Sequence, residues 1–138
     1  MEGGVADGTA RVRLTEQDVL ALKAGLEVLE GECRRGDISA PGAAAYHVEV
    51  LLGRLRPLVE AERATTVTLT RSEAAVLAYY VERAMRLRGY VVGRPQANEW
   101  FVGLYRKLRA VAQGRATDIV PRWRRWVKRW LRGWVSGR

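Results

Sequence analysis

Apolar and polar residues alternate at two places in the chain. Ala10-Arg-Val-Arg-Leu14 and Thr65-Thr-Val-Thr-Leu69 each place every second residue on an apolar face, the period of a half-buried strand. Each is followed by Thr-x-x-acid, Thr15 to Asp18 and Thr70 to Glu73. This is the spacing of a capping box, in which the Thr oxygen accepts a backbone N–H three residues on and the acid reaches back. Asp18 has the shorter arm and is expected to cap less well. Val12 matches Val67, Leu14 matches Leu69, Thr15 matches Thr70 and Asp18 matches Glu73, all at an offset of 55 residues.

After each cap the period changes to three and four. Val19, Leu22, Leu26, Leu29 and Cys33 form one helical stripe, and Leu77, Tyr80, Val81, Ala84 and Met85 form another. Both helices are predicted to end near glycine, at Gly36 and Gly89. Pro41 and Pro95 stand near the starts of the next pair. That pair buries Val48, Leu51, Leu55 and Leu58 in the first half, and Phe101, Leu104, Leu108 and Val111 in the second. Pro57 is expected to kink or end its helix, and Gly114 is placed to cap the fourth helix. The endings also match: Leu51-Leu-Gly-Arg-Leu-Arg56 stands against Leu104-Tyr-Arg-Lys-Leu-Arg109.

The pattern predicts a mainly α chain in which two strand–helix–helix halves share one core with a small two-stranded ribbon. This body spans residues 10–113. It follows an N-terminus over residues 1–9 that is Gly-rich and acidic and is expected to be disordered. A linker and a C-terminal amphipathic helix are expected over residues 114–138. Duplication accounts for the two halves. Two chance capping boxes would explain the starts but not the matching ends.

The last segment carries the sharpest periodicity. Trp123, Trp126, Trp130 and Trp134 are spaced three, four and four, with Val127 and Leu131 beside them. Arg125, Lys128, Arg129 and Arg132 occupy the opposite face of the helix, with Arg122 and Arg124 at its margins. Fifteen helical residues reach about 22 Å at ~1.5 Å each, too short and too charged to span a bilayer. Three readings of the stripe stand side by side. It packs on the body and leaves a solvated Arg face; or it lies on a membrane surface; or it fills a groove in a protein partner while the Arg face follows phosphates.

Charge sharpens this picture. The chain carries 24 Lys+Arg and 15 Asp+Glu, a net charge of +9. Residues 115–138 hold eight of the basic residues and a single acid, Asp118, so most of the field belongs to the tail. A basic patch favours polyanions, either nucleic acid or an anionic membrane surface. Arg dominates over Lys, and its planar fork bridges phosphate oxygens in pairs. A GC-rich genome would give the same bias without selection for binding.

Catalytic groupings are missing from the sequence. His47 is the single histidine and Cys33 the single thiol, so no metal site with several Cys or His ligands can be assembled in one chain. His47 is expected to be a partly buried packing residue, and Cys33 a small core residue. Ser39, Ser72 and Ser136 lack a Gly-x-Ser-x-Gly context, and no phosphate-binding glycine fingerprint occurs. Glu27 with Glu30, and Glu60 with Glu62, read as solvated helix faces. No catalytic residue, cofactor or metal is expected. Nor does any run approach the ~18 apolar residues of a membrane span, and a cytoplasmic location is expected.

If the two alternating segments pair, Val12, Leu14, Val67 and Leu69 face the core. Arg11, Arg13, Thr66 and Thr68 then project outward from a two-stranded ribbon of the kind that can enter a DNA major groove. In element order the body resembles two units of the ribbon-helix-helix repressors fused in one chain. The first helices and the inter-helix loops are longer here, and the ribbon has little positive charge beyond Arg11 and Arg13. A ribbon that ties the halves together is therefore the expected role. The whole layout, a helical body with an Arg-rich, basic C-terminal tail, resembles a small transcription factor of phages that infect thermophilic bacteria. That resemblance implies a body bound to RNA polymerase in the host cytoplasm, with the tail near nucleic acid. The expected function is a non-enzymatic transcription regulator with a protein partner, RNA polymerase by this resemblance, and a nucleic-acid contact. The candidate residues are Arg122, Trp123, Arg124, Arg125, Trp126, Lys128, Arg129, Trp130, Arg132 and Trp134. Direct DNA binding by the ribbon, or a membrane surface held by the tail, are the alternatives.

Overall fold

A computed structural model of the chain describes residues 9–41, 43, 45–89 and 98–114. These residues are mainly helical with one small two-stranded antiparallel sheet. The order is β1 (Thr9–Leu14), α1 (Glu16–Arg35), α2 (Ala45–Glu60), β2 (Thr65–Thr70), α3 (Arg71–Leu87) and α4 (Glu99–Ala112). Thr9, expected in the disordered terminus, is instead the first residue of β1. Pairing with Thr70 extends the ladder to it. The tail helix expected beyond Gly114 lies outside the described residues.

The alternation puts Val12, Leu14, Val67 and Leu69 in the core. Each strand runs straight into a helix through its capping box, and both boxes close. Asp18 Oδ2 accepts from the Thr15 N–H at 3.0 Å, while Thr15 Oγ1 accepts from the Asp18 N–H at 3.1 Å. The corresponding distances at Thr70 and Glu73 are 2.9 and 3.1 Å. Asp18, expected to cap less well with its shorter arm, forms the same reciprocal pair. α1 ends on Gly36 at φ 74°, and the chain leaves α3 through Gly89 at φ 87°, both left-handed positions that favour glycine.

α1 and α3 pack against one another at Gly25. A Cβ there would meet Val81 N at 3.2 Å and the Tyr80 carbonyl carbon at 3.3 Å. Backbone atoms cannot swing aside as a side chain can. Gly25→Ala is therefore expected to destabilise by about 1–2 kcal/mol, because overpacking outweighs the ~1 kcal/mol helix preference of Ala. Urea unfolding measures this, and a stabilised variant would mean that the helices separate freely.

The second helices complete the core. α4 buries Phe101, Leu104, Leu108 and Val111 as expected, and its N-cap is Asn98, whose Oδ1 accepts from the Trp100 N–H at 2.8 Å. Pro57, expected to kink or end α2, lies inside a helix that runs on to Glu60. One expectation for α2 is corrected. The buried stripe is Val48, Leu51, Leu55 and Val59, with Leu58 only half-buried. A spacing of four after Leu55 keeps the stripe facing inward, where a spacing of three turns Leu58 to its margin. Cys33 is likewise half-buried, and its neighbour Glu32 takes the interior position.

Candidate nucleic-acid interface

β1 and β2 pair with Arg11 opposite Thr68, Val12 opposite Val67 and Arg13 opposite Thr66. The 55-residue offset maps the Val12–Val67 pair onto itself, and maps Arg11–Thr68 onto Thr66–Arg13. The register is thus symmetric about its middle pair, as for strands related by a two-fold axis. The inner face is sealed by the core. The outer face exposes Thr9, Arg11 and Arg13 on one strand, and Thr66 and Thr68 on the other. All four ribbon positions picked from the sequence share this surface. No acid among the described residues pairs with Arg11 or Arg13.

The free edges of the ribbon are held by two matching clips. Lys107 Nζ on α4 donates to the Arg13 carbonyl at 3.0 Å and to Asp18 Oδ2 at 2.5 Å. Arg54 on α2 donates to the Thr68 carbonyl at 3.3 Å and to both Glu73 oxygens at 2.9 and 3.0 Å. Each clip joins a second helix, a strand carbonyl and the carboxylate of a capping box. Burial pushes the Glu73 carboxyl up, but the Arg54 fork and the Thr70 amide outweigh it and hold its pKa below the ordinary value. Lys107 and Arg54 are thereby neutralised locally, whereas Arg11 and Arg13 have no acidic partner among the described residues. Sequence reasoning missed both clips. The signal was present, since the matching helix ends carry Arg54 and Lys107 at the same place.

The body also sets where the tail begins. The Arg71 guanidinium lies over Gly114, where an added Cβ would fall 1.9 Å from Nη2. Arg71 directly follows Thr70, the residue paired with Thr9 at one end of the ribbon. Gly114, the last described residue, therefore lies within reach of the Arg71 side chain. Its candidate residues, from Arg122 to Trp134, lie outside the described residues.

A second polar cluster, also missed, surrounds Glu32, whose side chain is 3% exposed. Its Oε1 accepts from Tyr80 Oη–H at 2.5 Å and from the Ser39 N–H at 2.9 Å. Ser39 Oγ donates to the same carboxylate at 2.9 Å, and Arg83 Nε stands 3.2 Å away. Burial pushes the Glu32 carboxyl up, yet these donors prevail and leave its pKa below the ordinary value. The Tyr80 hydroxyl is pushed up by burial and by Glu32. The cluster anchors the loop after α1. Every carboxylate oxygen has a donor, so the group serves the fold and is not poised for proton transfer.

His47, expected to be partly buried, is exposed on α2. It lies between the inward stripe position Val48 and the helix start, where the surface curves to solvent. Glu30, expected on a solvated face, is half-buried and paired with Arg34 and Arg56. No group of three His, Cys, Asp or Glu side chains among the described residues could hold a metal ion. No described helix is long and apolar enough to cross a membrane. Compared with protein-family models, curated proteins and solved structures, the chain finds no match, so the geometry above carries the functional argument by itself.

Proposed function

We propose that the chain is a non-enzymatic transcription regulator that binds duplex DNA through the outer face of its ribbon, with the basic tail adding phosphate contacts. One observation carries this reading. A two-stranded antiparallel ribbon, sealed on one face, presents Arg11 and Arg13, which have no acidic partner among the described residues, beside Thr66 and Thr68 on the other. The DNA major groove is about 12 Å wide and admits such a ribbon; Arg pairs with guanine O6 and N7, and Thr contacts several base edges. The shared register, the closed capping boxes and the paired clips support the two-copy reading of the body. A body docked on RNA polymerase rests on the layout of the chain alone, and a membrane anchor on the composition of the tail alone.

Fluorescence anisotropy with the full chain and duplexes enriched from a random pool tests the proposal. Arg11→Ala with Arg13→Ala should leave thermal unfolding in place, since both side chains face solvent. It should weaken the enriched duplex by roughly tenfold or more per lost guanine contact. Deleting residues 122–138 lowers the net charge from +9 to +2 and should flatten the salt dependence, at a slope of about 0.9 per phosphate contact removed. Unchanged affinity in the Arg pair variant would return the ribbon to a tie between the two halves.

A further inference from the structure

We infer that the ribbon reads a non-palindromic DNA site, with an Arg row set against guanines in one half and a Thr row set against different base edges in the other. This inference rests on the DNA-binding reading and goes further, since it names the kind of site and the residues that set its polarity.

About the Val12–Val67 pair, rotation by half a turn carries Arg11 to the place of Thr66 and Arg13 to the place of Thr68. Backbone, inward Val and Leu residues, capping boxes and clips all respect this rotation. The outward positions do not. A ribbon with identical rows would meet a palindrome with the same side chain at each equivalent base. Here equivalent bases meet an Arg on one side and a Thr on the other. Arg is a cationic fork that donates to two acceptors, the pattern of guanine. Thr offers one hydroxyl and one methyl, and its methyl suits the thymine C5 methyl. A palindrome can satisfy only one row, so the preferred duplex must be asymmetric.

Spacing makes the site more definite. Arg11 and Arg13 are two residues apart on a strand, about 6.8 Å, which is two base-pair steps at 3.4 Å each. The Arg row therefore fits two guanines separated by one base pair.

The test is enrichment of binding sites from a random duplex library with the full chain, followed by hydroxyl-radical footprinting on the enriched duplex. The expected motif is non-palindromic, with guanines two steps apart in one half. Thr66→Arg with Thr68→Arg, which gives both strands an Arg row, should turn the enriched motif into a palindrome. Arg11→Thr with Arg13→Thr should remove the guanine preference and weaken the enriched duplex by roughly tenfold or more. Circular dichroism of both variants checks that folding is intact. A palindromic motif from the natural chain would overturn this inference and leave DNA binding standing. An asymmetric motif without the spaced guanines would overturn the assignment of the Arg row. No enrichment over random duplex would overturn the DNA-binding reading itself.

Discussion

Glu32→Ala is expected to lower the unfolding free energy by about 3 kcal/mol, because removing one partner of a buried, charge-assisted network strands the others. Tyr80 Oη would lose its buried acceptor, and the amide of Ser39, an exposed residue, would lose the contact that anchors the loop after α1. Arg83 contributes less, since its side chain is 45% exposed and screening weakens its pull. The effect should also depend on pH. The Glu32 carboxyl sits below its ordinary value in the fold, so its stabilisation is fully present above the unfolded value, about 4.3. It is lost as pH falls through the folded value. Glu73 adds a loss of the same sign. Urea midpoints should therefore fall from pH 7 to pH 3 for the natural chain, and fall less for Glu32→Ala. Parallel curves would mean that Glu32 does not carry the acid limb.

Leu104→Ala is expected to cost about 2–5 kcal/mol, and Leu77→Ala a similar amount. Leu104 is wholly buried on α4, which packs on α3, on α1 and on both strands. A cavity there is bounded by several elements that cannot all close on it, which places the cost toward the upper part of the range. Leu58→Ala supplies the comparison. Leu58 sits half-exposed at the margin of the α2 stripe, so its truncation should cost under about 1.5 kcal/mol. Denaturant unfolding of the three variants reads the order directly. Equal losses at Leu58 and Leu104 would refute the inward phase of α2 described above.

The elements were legible in the sequence because each is encoded locally. Alternation at Val12 and Leu14 and at Val67 and Leu69 marks strands, and Thr15 and Thr70 mark helix starts within three residues. The outward ribbon positions followed from the same alternation. Glu32 was not legible. Within its own helix it reads as a polar residue near a frayed end, and its donors Ser39, Tyr80 and Arg83 lie on other parts of the chain. The position 55 residues on is Leu87, which stands 70% exposed, so comparison of the halves gave no hint. The clips were half-legible. The matching helix ends show Arg54 and Lys107 in step, but nothing local shows that both reach strand carbonyls. The DNA-binding role proposed for the ribbon draws on a contrast that counting charge on the sequence could not show: among the described residues Lys107 and Arg54 are paired with acids, and Arg11 and Arg13 are not.

The pairing of β1 with β2 within one chain has a consequence for how such a surface behaves at low concentration. Two separate subunits that meet through a strand pair come apart on dilution, and their stability is tied to protomer concentration. A covalent tether replaces that encounter with ring closure inside one molecule. The ribbon should therefore persist however scarce the protein is, and its unfolding midpoint should not move with concentration. The tether also uncouples heredity in the two strands. In a homodimer every mutation appears twice, so both rows must change together. Here a codon altered in β1 leaves β2 untouched, and the two rows can drift toward different bases while the apolar side beneath them stays symmetric.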